Sequence, residues 1–198
     1  MRRSELREGM EGPPDVPLHL RAGAQLDEDG VGPLYQRRYR VTICNSRLSS
    51  TEVMGRVRSD PNLAAPKEFA RFHKLGGPEA GMRAGDEYLV HMPGPWDGPV
   101  RVVDVTPRSF RLVTLKGHLE AGQIEFRAAH DDALLVFEIE SWARSGDRLG
   151  AVLYDTFRMA KEVQLHMWTS FLEKVVALSG GTRGGPLSIE TRRLEPNG

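Results

Sequence analysis

The sequence has one cysteine, Cys44, in 198 residues. That excludes an intramolecular disulfide framework and fits a reducing compartment. It also lacks net charge, with 27 Lys plus Arg against 27 Asp plus Glu. Proteins that grip phosphate backbones carry a basic excess, so nucleic acid is not an expected partner. The same balance gives little electrostatic protection against self-association. No apolar run approaches the ~20 residues of a membrane span. Met1-Arg2-Arg3-Ser4-Glu5-Leu6-Arg7-Glu8 is basic but is followed by no apolar core of a signal peptide. A cytoplasmic chain without integral membrane association is therefore expected. His19, His73, His91, His118, His130 and His166 show no HxxxH or HExxH spacing, so no metal site is expected. There is no Gly-x-Ser-x-Gly elbow, and Gly76-Gly77 and Gly180-Gly181 lack the Lys and the strand-to-helix context of a phosphate loop. No cofactor is implied.

What is present suits one domain with tails. Hydrophobic residues make up 39% and charged ones 27%, enough for a packed core. Residues 1–34 are rich in Gly, Pro and acidic groups, with Gly12-Pro13-Pro14 and Asp27-Glu28-Asp29-Gly30. They are expected to form a flexible or loosely docked N-terminal arm. Residues 35–179 carry the domain, and 180–198 form a C-terminal tail in which 187–191 can add one short edge strand.

The period changes along the domain. Residues 39–45 alternate and are β-branched, predicting a strand. Ser49-Ser50-Thr51-Glu52 supplies a helix N-cap ahead of Val53, Met54 and Val57, and Asp60-Pro61 ends that helix. Pro66 opens a second short helix through Phe69, Phe72 and Leu75. From Glu87 the period is two: strands are predicted over 87–92, 100–105, 110–115, 122–128 and 133–142, the last four joined as hairpins. Over 147–179 an apolar stripe of Leu149, Leu153, Thr156, Ala160, Val163, Met167, Phe171, Val175 and Leu178 predicts one long helix. Unbroken, it would run roughly 50 Å.

A stripe that wide needs cover, and the concave face of the antiparallel sheet is the available partner. The fold class is therefore α+β, a curved antiparallel sheet around a long C-terminal helix, with two short helices after the first strand. This order resembles the helix-grip fold of the START and Bet v 1-like superfamily. The resemblance implies a space between sheet and helix for sterols, lipids, polyketides or other apolar molecules. Gly94-Pro95-Trp96-Asp97-Gly98-Pro99-Val100 and Gly117-His118-Leu119-Glu120-Ala121-Gly122 further resemble a domain-of-unknown-function family with a Gly-His-Pro-Glu-x-Gly strand. Leu119 stands where that pattern has Pro.

His118 and Glu120 are the sharpest candidates for chemistry. On an unbroken strand they share a face with Gly122, Ile124 and Phe126 and point into the space. There an imidazole and a carboxylate could exchange protons. Alternatively Gly117 or Gly122 breaks the register, and both side chains cap loops or meet solvent. Glu138 and Glu140 fall on the opposite face from Leu135, Phe137 and Ile139. They read as a solvated pair with Arg127 across strands. Trp96 closes an entrance or anchors its loop, whereas Trp142 and Trp168 read as packing. Arg37-Arg38-Tyr39-Arg40 reads as a solvated strand end.

The first functional expectation is a binding protein for an apolar or lipid-like small molecule, contacted by Trp96, His118, Glu120, Phe126, Phe137, Tyr154 and Met167. The alternatives are a protein-interaction module with a filled core, and a cyclase- or isomerase-like enzyme using His118 and Glu120.

Overall fold

The computed structural model describes residues 2–6, 12–76, 81–92, 97–146 and 154–194, of which 2–6, 154–162 and 194 are described as backbone. The strands are β1 (Arg2–Leu6), β2 (Val31–Cys44), β3 (Arg71–Lys74), β4 (Glu87–His91), β5 (Asp97–Thr106), β6 (Ser109–Thr114), β7 (Glu120–Asp131), β8 (Leu134–Ser145), β9 (Thr182–Arg183) and β10 (Ser188–Leu194). The helices are α1 (Ser50–Ser59) and α2 (Tyr154–Ser179). Among the described residues the strands form one sheet in the order β1-β10-β2-β8-β7-β6-β5-β4-β3, with β9 paired to the end of β2. Every pairing is antiparallel except that of β1 with β10.

Side-chain alternation gives the sheet two different faces. The concave face carries Tyr39, Val41 and Ile43 of β2, Leu135, Phe137 and Ile139 of β8, Phe126 and Ala128 of β7, and Phe110 and Leu112 of β6. Onto it α2 lays Met167, Trp168, Phe171, Leu172, Val175 and Val176, at helical spacing. Rings fill the centre. Phe126 stacks on Phe110 at 4.5 Å between centroids, and Phe171 lies 5.4 Å from Phe126 and 6.2 Å from Phe137. Such burial is worth about 1.5–3 kcal/mol per large side chain. This is the expected α+β helix grip. The segment 147–153, expected to begin the long helix, lies outside the described residues.

Helix α1 starts where its cap dictates. Ser49 Oγ accepts from the Glu52 N–H at 3.2 Å, and Glu52 Oε2 accepts from the Ser49 N–H at 2.8 Å. Asp60 ends it in an extended conformation ahead of Pro61, where a 3-10 turn (Pro61–Leu63) follows. The second short helix expected from Pro66 through Leu75 does not form, and residues 67–69 make only a turn. Residues Arg71–Lys74, expected to be helical, are strand β3. Phe72 meets Tyr88 edge-on at 6.5 Å, and the Asn62 side-chain amide bonds both the Phe72 N–H and its C=O. Cross-strand packing and this capped strand edge override the i, i+3 spacing of Phe69, Phe72 and Leu75.

The described residues of both tails join the fold. The expected arm boundary at 34/35 falls inside β2. Residues 12–30 are docked on the convex face, where Val16, Leu20 and Ala24 bury against Val103 and Val113. Alternation along β5 sends Val102 to the concave core and Val103 to this outer cluster, and the register shift between Val102 and Asp104 then returns Val105 to the core side. Arg111 donates to Pro14 O and Asp15 O, and Arg101 to Leu20 O. In the tail, 187–191 was expected at a sheet edge, but β10 lies between β1 and β2.

Candidate functional site

At the end of the concave face beyond Phe126, the apolar lining gives way to polar groups. Continuing the β7 alternation from Phe126 through Ile124 and Gly122 places Glu120 on the concave side, paired in register with Ser145 of β8. Continuing β2 from Val41 and Tyr39 places Arg37 on the same side, opposite Ser141. Helix α2 brings Gln164 down between them. Gln164 Nε2 donates to Glu120 Oε2 at 2.7 Å, and Arg37 Nη1 donates to Gln164 Oε1 at 3.4 Å. Arg37 Nη1 lies 3.7 Å from Glu120 Oε1, and its guanidinium covers the Tyr35 ring at 4.8 Å. Arg37 is only 8% exposed, so this cation is held inside the grip with long contacts, unlike the short ion pairs of the convex face.

His118 precedes β7, in a turn entered through Gly117 at φ +101°. The break in register therefore falls between His118 and Glu120. The ring still reaches the concave side, because a Cβ on Gly98 of β5 would lie 2.8 Å from His118 Nε2. Nδ1 sits 2.9 Å from the Glu120 N–H and 3.0 Å from Glu120 O. Glu120 O already accepts from Gln25 Nε2 at 3.2 Å. Pairing every group requires Nδ1 to accept from the Glu120 N–H, which puts the proton of the neutral ring on Nε2. Burial lowers the imidazole pKa below 6.5, against the opposing pull of Glu120. Above that value both folded and unfolded chains are neutral at this ring. Below it the unfolded chain takes up a proton that the folded ring resists, so His118 makes stability fall as pH drops. In urea unfolding between pH 7.5 and 5, His118→Gln should show a shallower loss of stability than the wild type. Parallel curves would overturn the lowered pKa of this ring.

The other expected contacts divide. Phe126 and Phe137 are fully buried in the aromatic centre, and Met167 is 4% exposed beside them. They belong to the packed core and offer no open surface of their own. Trp96 and the side chain of Tyr154 lie outside the described residues. Sequence reading missed Arg37, Gln164 and Gln25. Arg37 was read as part of a solvated strand end, yet two-residue alternation from Tyr39 and Val41 already turns it inward. Its neighbour Arg38 faces outward to Glu140 at 2.8 Å, and Arg40 lies 3.6 Å from Asp131. Separately, a surface depression of about 350 Å³ at the β3 edge is lined by Asn62, Lys67, Arg71, Phe72, His73 and His91. It does not adjoin the polar end of the grip. Among the described residues no cluster of three or more His, Cys, Asp or Glu is arranged to hold a metal ion. No helix among them is long and apolar enough to cross a membrane.

Residues 67–173 match the model of the family described as domain of unknown function DUF1990. The chain belongs to that family. The matched span runs from just before β3 into α2 and includes His118, Glu120 and Gln164. No curated protein matches the sequence of this DUF1990 member. Its fold is similar to that of solved structures at low identity. A hypothetical protein from Helicobacter pylori, jhp0584, is 12% identical with a TM-score of 0.54, covering 88% of this chain and 99% of its own. The di-domain ARO/CYC StfQ of the steffimycin biosynthetic pathway is 10% identical with a TM-score of 0.54, covering 78% of this chain and 52% of its own. A conserved protein from Geobacillus kaustophilus is 14% identical with a TM-score of 0.50, covering 75% and 98%. These likenesses show the helix-grip fold.

Proposed function

We propose that the protein binds a small, mostly apolar molecule in the grip, with the molecule's polar end held by Arg37, Glu120 and Gln164. The observation that carries this is the Arg37–Gln164–Glu120 set on the concave face, in which a buried Arg37 meets a half-buried Gln164 and Glu120 at the end of the apolar core. Buried charge without tight pairing costs stability, and a convergent polar set beside apolar walls is the usual anatomy of a ligand site. The charges of Arg37 and Glu120 cancel. The set therefore favours a neutral group that both accepts and donates, such as a hydroxyl, over a carboxylate. Trp96 and Tyr154 belong to the same proposal on the sequence reading alone. Binding is preferred over general-base catalysis because His118 Nδ1 is engaged by the Glu120 N–H, leaving no basic lone pair on that ring to abstract a proton.

Fluorescence titration tests the reading with 2-naphthol, 2-methylnaphthalene and 2-naphthoate. The wild type should bind 2-naphthol about threefold to tenfold more tightly than 2-methylnaphthalene, the range of one or two net hydrogen bonds. Arg37→Met and Glu120→Gln should each erase that preference while still binding the hydrocarbon. Native mass spectrometry of freshly purified protein should also show an adduct that is lost on denaturation. No binding of any probe, together with a bare native mass, would overturn the reading.

A further inference from the structure

Strands β6 and β7 stay paired from Ser109 opposite Arg127 to Val113 opposite Gln123, and then part. Gln25 enters the gap. Its N–H donates to Thr114 O at 2.7 Å, and its carbonyl accepts from the Gly122 N–H at 2.9 Å and from Thr114 Oγ1 at 2.8 Å. On either side, Ala24 bridges Leu115 and the Lys116 N–H donates to Gly23 O at 3.0 Å. Residues 23–25 thus stand in for the missing rungs of the ladder. The Gln25 side chain then reaches the candidate site from behind: Nε2 donates to His118 O at 3.1 Å and to Glu120 O at 3.2 Å. Farther along, Gly30 passes so close to the ends of β7 and β8 that a Cβ there would lie 2.7 Å from Arg144 Cβ and 2.9 Å from Ala121 Cβ. Gln25 is 8% exposed, and its Nε2 donates to two backbone carbonyls of the segment that carries His118 and Glu120.

We propose that residues 12–30 are a clasp belonging to the ligand site, with Gln25 the positioning residue that sets where Glu120 and His118 stand. The apolar anchors Val16, Leu20 and Ala24 hold the clasp down, and the Gln25 amide transmits that docking to the site. On the ligand reading above, docking and occupancy are coupled, and the coupling is reciprocal: a molecule held at Glu120 favours the docked clasp.

The first test needs no ligand. Gln25→Met keeps the length and the backbone bonds of residue 25 and removes the side-chain amide with its Nε2 donors. Amide hydrogen exchange and the ring titration of His118 are followed by NMR in the wild type, Gln25→Met, Leu20→Ala and Val57→Ala. Val57 is fully buried on the inner face of α1, in the main core and not in the cluster that anchors the clasp, and serves as a control for general destabilisation. Gln25→Met should speed exchange of the Glu120 amide about fivefold to tenfold, as expected when the two long hydrogen bonds from Nε2 to the His118 and Glu120 carbonyls are lost. It should also move the His118 pKa upward, toward that of an exposed imidazole. Leu20→Ala, which loosens the anchor with Gln25 intact, should move both readings the same way, while Val57→Ala moves neither. Wild-type exchange and titration in both Gln25→Met and Leu20→Ala overturn the clasp. With 2-naphthol, Gln25→Met should lose most of the hydroxyl preference; failure of the wild type to bind any probe removes the ligand reading but leaves the exchange result standing.

Discussion

Gly122→Ala should abolish cooperative folding. Gly122 lies in β7 opposite Ala143 of β8, at φ +155°, where side chains are rarely tolerated. A Cβ there would sit 1.9 Å from the Trp142 carbonyl oxygen, 2.8 Å from Ala143 Cα and 2.9 Å from the Trp142 carbonyl carbon. All three are backbone atoms of the neighbouring strand, so no side-chain rotation relieves the clash. β7 and β8 would have to separate where Glu120 pairs with Ser145 and Gly122 with Ala143. The Gly122 N–H would also leave Gln25 O and Thr114 Oγ1. Backbone strain of about 1–3 kcal/mol adds to the lost pairings and to overpacking of similar size. Their sum approaches the roughly 5–15 kcal/mol that holds a domain of this kind together. Gly55→Ala is the contrast. Gly55 is inside α1 with nothing within 4 Å of its would-be Cβ, so alanine there should add up to about 1 kcal/mol through helix propensity. Thermal unfolding by circular dichroism separates the two. A Gly122→Ala protein melting within a few degrees of the wild type would mean that the β7–β8 register at this point is wrong.

Gly122 also marks the limit of what the sequence could reveal. Alternation from Phe126 back to Glu120 survives its unusual φ because the β7–β8 ladder stays in register through it, so the inward direction of Glu120 was legible. The interruption begins at Gly117, three residues before the strand, and it placed His118 in a turn. Periodicity reported α2 and the two hairpins because their patterns are local and long. It failed at Phe69, Phe72 and Leu75, where i, i+3 spacing meets a four-residue strand whose structure depends on Tyr88 and Asn62. It failed for the arm because three buried apolar residues, Val16, Leu20 and Ala24, are too few to signal a core. Their partners Val103 and Val113 lie about ninety residues away in sequence, and no short window contains both sides of the contact. Gln164 was invisible for the same reason, since a glutamine on a helix has meaning only once Arg37 and Glu120 are known to face it.

The convex face carries the second large effect. Glu138 and Glu140 were read as a solvated pair, but Glu140 is 2% exposed. Arg38 donates to it at 2.8 Å and Gln36 at 2.7 Å, and Arg127 bonds it while also bonding Glu138 and, at 2.9 Å, Glu125. Burial alone would raise the Glu140 carboxyl pKa, yet the bonds from Arg127, Gln36 and Arg38 hold it below 4.5. Glu140→Ala should therefore cost about 3 kcal/mol or more at pH 7, because it strands the buried Gln36 amide and leaves Arg38 and Arg127 undercompensated. Glu173→Ala, which removes a half-exposed pair with Arg183, should cost less than about 1 kcal/mol. The sign of the pH dependence follows from the lowered pKa: the Glu140 contribution is complete above 4.5 and is lost as pH falls through the folded value. In urea unfolding, the gap between the wild type and Glu140→Gln should accordingly narrow below that pH. Equal stability of the two alanine variants at pH 7 would reduce the network to an ordinary surface feature. If the gap is found, it has a consequence for the grip, because Glu140 ties β2, β8 and β7 together on the side opposite Arg37 and Glu120. The same three strands carry the polar end of the site, so the outer network fixes the spacing across which Arg37 and Glu120 meet Gln164. Glu140→Gln should then weaken the preference for 2-naphthol even at pH 7, without any contact between residue 140 and the ligand.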